Sequence, residues 1–270
     1  MNLVDGAVED FAQIDWQRPW LAALEPTGRR LAALVLQGAS VADALNASRL
    51  PGVFRFVGQE ALPPGVAYEQ FIFDTKSVPT RNNLHDFFNG LIWLHYPATK
   101  RLFNQWQAAA IAAQGVGAVR GPLRDAITVF DENGALWFAP QPLRDALRRR
   151  EWRRLGEELR PLWRQSHLVP FGHALLEKLV RPRKSITAHV YLADALPASA
   201  HADVDVAVDA WMPAHFQPDS FARKPFNPLP VLGVPGWWSD NENFCFYDDS
   251  IVFRCDARKT AQQVAAEPAR

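Results

Sequence analysis

Arg81-Asn82-Asn83-Leu84-His85-Asp86-Phe87-Phe88-Asn89-Gly90-Leu91-Ile92-Trp93-Leu94-His95-Tyr96 anchors the interpretation of this chain. Leu84, Phe87, Phe88, Leu91 and His95 recur at i, i+3, i+4, i+7 and i+11, with Leu94 beside them. That period predicts a helix over 81–96 with one face in the core. A step of about 100° per residue puts Arg81, His85 and Asn89 in a row on another face. Asn82, Asp86 and Trp93 flank that row, and Gly90 lies at its edge. A solvated face is better filled with Glu, Lys, Gln or Ala, because Asn, Asp, His and Gly cost helix stability. Several such groups in one stripe therefore meet something specific: a ligand, or a buried hydrogen-bond network with Thr80 and Asn82 or Asn83 as caps. His95, on the apolar side, reads as a satisfied core histidine.

Outward from this helix, Pro97 opens a second one that Gly115 ends. Upstream, 10–50 reads as short helices, with Asp15 and Thr27 as caps, Pro19 early in a helix, Gly38 as a stop and Ser40 opening 41–50. Segments 53–57 and 68–74 read as strands separated by Leu62-Pro63-Pro64-Gly65. Downstream, 126–131, Asp-Glu-Asn-Gly and 135–139 form a hairpin signal. An arginine-rich helical stretch over 142–164 is interrupted by Pro161. A helix at 171–180, a strand at 186–193 and a helix near 202–212 follow. The remainder is loop-rich up to a final strand near 250–254. The expected fold class is α+β: a helix-rich single domain, 1–270, around a small, mostly antiparallel sheet. Within it, 1–50 is an N-terminal helical segment, 51–256 the main body and 257–270 a frayed tail.

Composition excludes several classes. The chain has 270 residues, 48% of them hydrophobic, with 29 basic and 29 acidic side chains. That suits a real core and argues against disorder, a disulfide scaffold and a globally basic nucleic-acid binder. Cys245 and Cys255 fit neither a zinc pattern nor a disulfide framework. The acidic N-terminus is unlike a signal peptide, and the apolar runs at 31–36 and 108–113 fall far short of the ~18 residues a membrane span needs. A cytoplasmic protein with no membrane partner is expected. Charge is uneven within the neutral total: 144–164 holds eight Arg against four acids, and 194–256 holds ten acids against three basic residues. The arginines read as a solvated or ion-paired face, docked in part on the acidic last third.

Other candidates are sparser. His173 and Glu177, at i and i+4, share a helical face and can pair or ligate a metal. His189 shares a strand face with Thr187 and Tyr191. Arg120 and Arg124 follow a glycine-containing loop suited to close approach by an anion, although no phosphate-loop ending is present. Asp131 and Glu132 read as hairpin-turn acids. Trp237 and Trp238 either cap a pocket or pin their loop down, and the pinning role is favoured. No nucleophile elbow, His-Glu-x-x-His helix or Cys-x-x-Cys pair occurs.

Four stretches carry a resemblance: Val78 to Leu94, Gly172-His-Ala-Leu-Leu-Glu-Lys, Ile186-Thr-Ala-His, and Pro228 to Asp249 with its Gly-Trp-Trp and Phe-Tyr-Asp-Asp. With these the sequence resembles the bacterial family called domain of unknown function 3025. The resemblance implies a soluble bacterial protein and supplies no activity and no catalytic residues. The chemistry therefore rests on the residues themselves. The leading expectation is a hydrolase, in one version assisted by a divalent metal, acting on a phosphoester or similar anionic substrate. His85 acts as base or ligand, Asp86 and Asn89 orient or ligate, and Arg81 neutralises developing charge. His173, Glu177 and His189 converge on the same cavity, with His85, His173 and Glu177 as the metal candidates. The rival is a non-catalytic binding module that presents the polar stripe, Asn82 and Trp93 included, together with the Trp-rich loop.

Overall fold

The structure, a computed structural model, describes residues 10–48, 54–115, 121–197, 200 and 203–255. Arg120 and the tail 257–270 lie outside the described residues. The chain packs as two compact units, each built from three separate segments. The first holds 1–134, 170–181 and 197–225; the second holds 135–169, 182–196 and 226–270. The fold is a helix-rich α+β, with one four-stranded mixed sheet and one parallel strand pair.

The first unit carries helices α1 (Glu25–Leu36), α2 (Val41–Asn46), α3 (Tyr68–Thr75), α4 (Leu84–His95), α5 (Pro97–Gln114) and α6 (Pro122–Asn133). Strands β1 (Arg55–Gly58) and β2 (Ser77–Thr80) pair in parallel beside them. Helix α4 forms because Asn83 caps it, its side chain accepting from the Asp86 N–H at 2.8 Å. Phe87, Phe88, Leu91 and Ile92 of this helix are fully buried. Helix α5 begins at Pro97, whose missing N–H costs nothing there, and ends at Gly115 with φ 72°.

Three expectations about local structure within 27–139 are corrected. Residues 68–74 are not a strand but helix α3, in which Gln70 bonds Asp74 across one turn and Lys76 closes the end at φ 54°. Aromatic and β-branched content suggested extension, but the tertiary setting overrides that weak preference. The hairpin at 126–139 is not formed. Pro122 starts α6, Ala126, Ile127 and Phe130 make its buried stripe, and only Gly134 onward is extended. Thr27 is no cap either, because α1 begins two residues before it.

The first unit also receives α8 (His173–Val180), α9 (Val204–His215) and the short α10 (Pro218–Phe221), while α7 (Gln141–Arg148) belongs to the second unit. Phe103, Phe130, Phe171, Phe216 and Phe221 meet ring to ring at centroid distances of 4.9 to 6.1 Å. Burying each such ring stabilises the unit by roughly 1.5–3 kcal/mol. Gly172 permits the approach that places α8. A Cβ there would sit 2.4 Å from the Glu132 carbonyl oxygen, and Gly134 O accepts the N–H groups of Phe171 and Gly172.

In the second unit the sheet order is β4 (His167–Pro170), β3 (Gly134–Phe138), β5 (Thr187–Ala193), β6 (Phe226–Pro230). Strands β5 and β6 are antiparallel, with His189 opposite Pro228. The prolines hid β6 from a pattern reading. An edge strand tolerates them because its outer N–H row needs no partner. Residues 250–254 form turns rather than the expected strand. The arginine-rich stretch is paired as expected. Arg153 and Arg154 bond Glu157 and Glu151, while Arg144 and Arg160 reach Asp194 and Glu242 in the later, acidic segments.

Candidate functional site

A cavity of about 590 Å³ opens in the first unit among α3, α4, α5, α6 and the start of α8. At one end His85 of α4 donates from Nδ1 toward Glu177 Oε2 of α8 at 2.8 Å. Its Nε2 faces His173 Nε2 at 3.1 Å, the two rings lying nearly perpendicular. Two helices distant in sequence thus converge on one point.

The protonation states follow from these neighbours. The hydrogen bond to Glu177 raises the His85 pKa above the usual histidine value, against a smaller opposing effect of burial. Burial pushes His173 down to about 4, with Lys100 and His85 adding to the fall and Asp131 resisting it. Only one N–H fits between two nitrogens 3.1 Å apart. With His85 cationic, its Nε2–H donates and neutral His173 carries its proton on Nδ1, directed toward Asp131 Oδ2 at 3.7 Å. No hydrogen bond satisfies that buried Nδ1. When His85 is neutral, His173 must donate from Nε2 instead.

Behind the pair lies a polar floor. Lys100 is 5% exposed, and its ammonium donates to Asp131 Oδ1 at 2.5 Å and Asn89 Oδ1 at 2.9 Å, 5.5 Å from the Trp93 ring centroid. Burial would raise the Asp131 pKa, but Lys100 and His173 outweigh it and hold the carboxyl below its usual range. Asn89 donates to the Tyr68 hydroxyl at 3.3 Å, and burial keeps that phenol protonated far above its ordinary value. Glu69 accepts from the Asn104 amide at 2.8 Å, and burial raises its carboxyl pKa.

The polar stripe read from the sequence divides here. His85, Asn89 and Trp93 line the cavity. Arg81 precedes α4 and lines the cavity too, but it is clamped to Asp86: its backbone N–H, Nε and Nη2 all donate to that carboxylate at 2.6 to 3.0 Å. Asp86 is thereby committed to holding the helix entry. Asn82 accepts from the Val41 N–H at 2.8 Å, tying its segment to the start of α2, which Ser40 caps, a structural role. Arg124 lines the cavity from α6. His189, Trp237 and Trp238 belong to the second unit and are not among the lining residues.

The three metal candidates do not present three donor atoms to one point, because Glu177 contacts His85 Nδ1 while the His pair meets through Nε2. Among the described residues no group of three or more His, Cys, Asp or Glu is placed to hold a metal ion.

Sequence reasoning missed Lys100, Tyr68 and Glu69, and it placed Asp131 in a turn. A signal existed in α5: Lys100, Asn104 and Gln107 fall at i, i+4 and i+7 on the stripe that also holds Phe103 and Ile111. Polar groups interleaved with apolar ones on one helical stripe face a buried polar space rather than solvent.

Fold and site together define an α+β protein whose first unit carries a carboxylate–His–His chain on a cavity wall. A family model described as a protein of unknown function (DUF3025) matches residues 54–257, and the chain belongs to that family. No curated protein and no solved structure matches it. No helix among the described residues is long and apolar enough to cross a membrane.

Proposed function

We propose that this cavity is the site of a hydrolase working by general acid–base chemistry. The observation that carries the reading is the chain Glu177–His85–His173, whose two histidines line a cavity large enough for a small molecule. Glu177 fixes the His85 tautomer by accepting from Nδ1, which leaves Nε2 as the proton-exchanging atom. Paired with the Nε2 of His173, it forms a unit that stores one proton. The unit takes a proton from an attacking water as the new bond forms and returns it to the leaving oxygen as the old bond breaks. His173, kept neutral by burial, accepts or donates on that line without adding a second positive charge. The Lys100 ammonium and the Tyr68 hydroxyl are donors preorganised toward the cavity, where developing oxyanion charge is stabilised with little reorganisation.

The test is hydrolysis of a panel of simple carboxylic and phosphoric esters by the wild type and by His85→Asn, with folding checked by circular dichroism. Turnover by the wild type that falls at least about a hundredfold in the variant is expected. Absence of turnover across the panel, or turnover that persists in the variant, overturns the reading.

A further inference from the structure

The charged groups at the His end of the cavity are matched: Arg81 with Asp86, Lys100 with Asp131, His85 with Glu177. Arg124 is different. Its guanidinium has no carboxylate within ion-pair distance among the described residues, and its Nε is buried without an acceptor. Gln107 also lines the cavity and is 6% exposed, yet its side-chain amide meets no hydrogen-bond partner among the described residues. Leaving the buried Arg124 Nε unmet costs roughly 1–3 kcal/mol, and with the Gln107 carboxamide on the same cavity it points to a ligand that meets both.

Helix register brings the two together. Lys100 of α5 contacts Asp131 of α6 at the His end, and the two helices pack against each other. Gln107 lies seven residues beyond Lys100, and Arg124 seven residues before Asp131. At 1.5 Å per residue each step covers about 10 Å. With the helices antiparallel, Gln107 and Arg124 therefore stand opposite one another, two turns from the His pair. Glu132, the remaining acid on this wall of α6, stands at the His end beside Asp131. The charged neighbour at the far end is Glu69, whose carboxyl is engaged by Asn104.

We propose that Arg124 and Gln107 form an oxyanion subsite, and that the ligand of this cavity carries a phosphate or carboxylate group on the order of 10 Å from the atoms the His pair acts on. A guanidinium and a carboxamide offer adjacent N–H donors matched to two oxygens of one anion. This rests on the cavity being a substrate site, as proposed above, but it is tested without turnover.

The experiment is isothermal titration of the full chain with inorganic phosphate and, separately, with succinate, for wild type, Arg124→Gln, Arg124→Lys, Gln107→Leu and His95→Asn. Saturable wild-type binding of one anion is expected, and its identity tells phosphate from carboxylate. Affinity should fall at least about tenfold in R124Q and by less in R124K, which keeps the charge without the fork. Q107L should weaken binding and provides the test if R124Q does not fold, while H95N, outside the cavity, should bind as wild type does. Absence of saturable binding of either anion, or binding unchanged in R124Q or Q107L, overturns the subsite. Wild-type anion binding that R124Q weakens, alongside a failed ester panel, leaves the subsite standing and removes only the hydrolytic reading.

Discussion

Helix α4 carries two histidines, each with Nδ1 held 2.8 Å from a carboxylate: His85 by Glu177, His95 by Asp205. Local chemistry makes them near twins, and their surroundings separate them. The His85 side chain is a third exposed and lies on the cavity, its second nitrogen facing His173. His95 is more deeply buried, its Nε2 has no partner, and Tyr96 shares its carboxylate at 3.0 Å. The second dyad ties α4 to α9, whereas the first has its histidine on the cavity wall. A carboxylate-oriented imidazole therefore becomes a candidate for chemistry only where its ring also borders a cavity.

The sharpest way to break the comparison is to exchange roles. His85→Asn should cut hydrolysis by about 10²- to 10⁴-fold, while His95→Asn should leave kcat within a factor of about two; steady-state kinetics on one ester decides. If both variants lose activity equally, the distinction between the two sites fails.

Next in size is an effect of acid on stability. The folded pKa of His173, near 4, lies below the ordinary value of about 6.5. Its contribution is present above about pH 6.5 and is lost as pH falls toward 4, by about 3 kcal/mol in all. His85 has the opposite sign. Its raised pKa stabilises the fold fully below about 6.5 and is lost as pH rises through the folded value. Chemical denaturation across pH 4–8 should show a steep acid limb in wild type that flattens in His173→Asn. In Glu177→Gln, the His85 ring should titrate at lower pH by NMR than in wild type.

Gly172→Ala should cost about 1–3 kcal/mol, because the added Cβ meets the Glu132 backbone and must push α8 away. His173 moves with α8, so activity should fall more than stability accounts for. Activity equal to wild type at a temperature where both are folded would break the link between that glycine and the site. The smallest effect is that of Asn82→Ala, which leaves the Val41 N–H at the start of α2 without its acceptor at a cost of about 1 kcal/mol in urea unfolding and should leave turnover unchanged.

Much of α4 was legible because a helix writes its contacts at a fixed spacing. Leu84, Phe87, Phe88 and Leu91 mark the core, Asn83 caps, and Pro97 and Gly115 bound α5. The hairpin reading at Asp131 failed for a related reason. Asp-Glu-Asn-Gly closes a helix into a strand as readily as it turns a hairpin, and only the packing of Ile127 and Phe130 selects between them. Edge strand β6 stayed hidden behind its prolines. Lys100 was overlooked because its burial depends on Asp131 and Asn89, which reach it from two other helices.

Sequence alone established the family motif, the helical face bearing His85 and Asn89, and the i, i+4 spacing of His173 and Glu177, since these are local and periodic. The tertiary structure decided that the two helices meet with their Nε2 atoms 3.1 Å apart, and that Arg81 and Asp86 are spent on each other. It also decided that His95, chemically alike, is sealed off. Proton affinity and solvent access are set by which distant groups pack within a few ångströms, and no spacing along the chain encodes that.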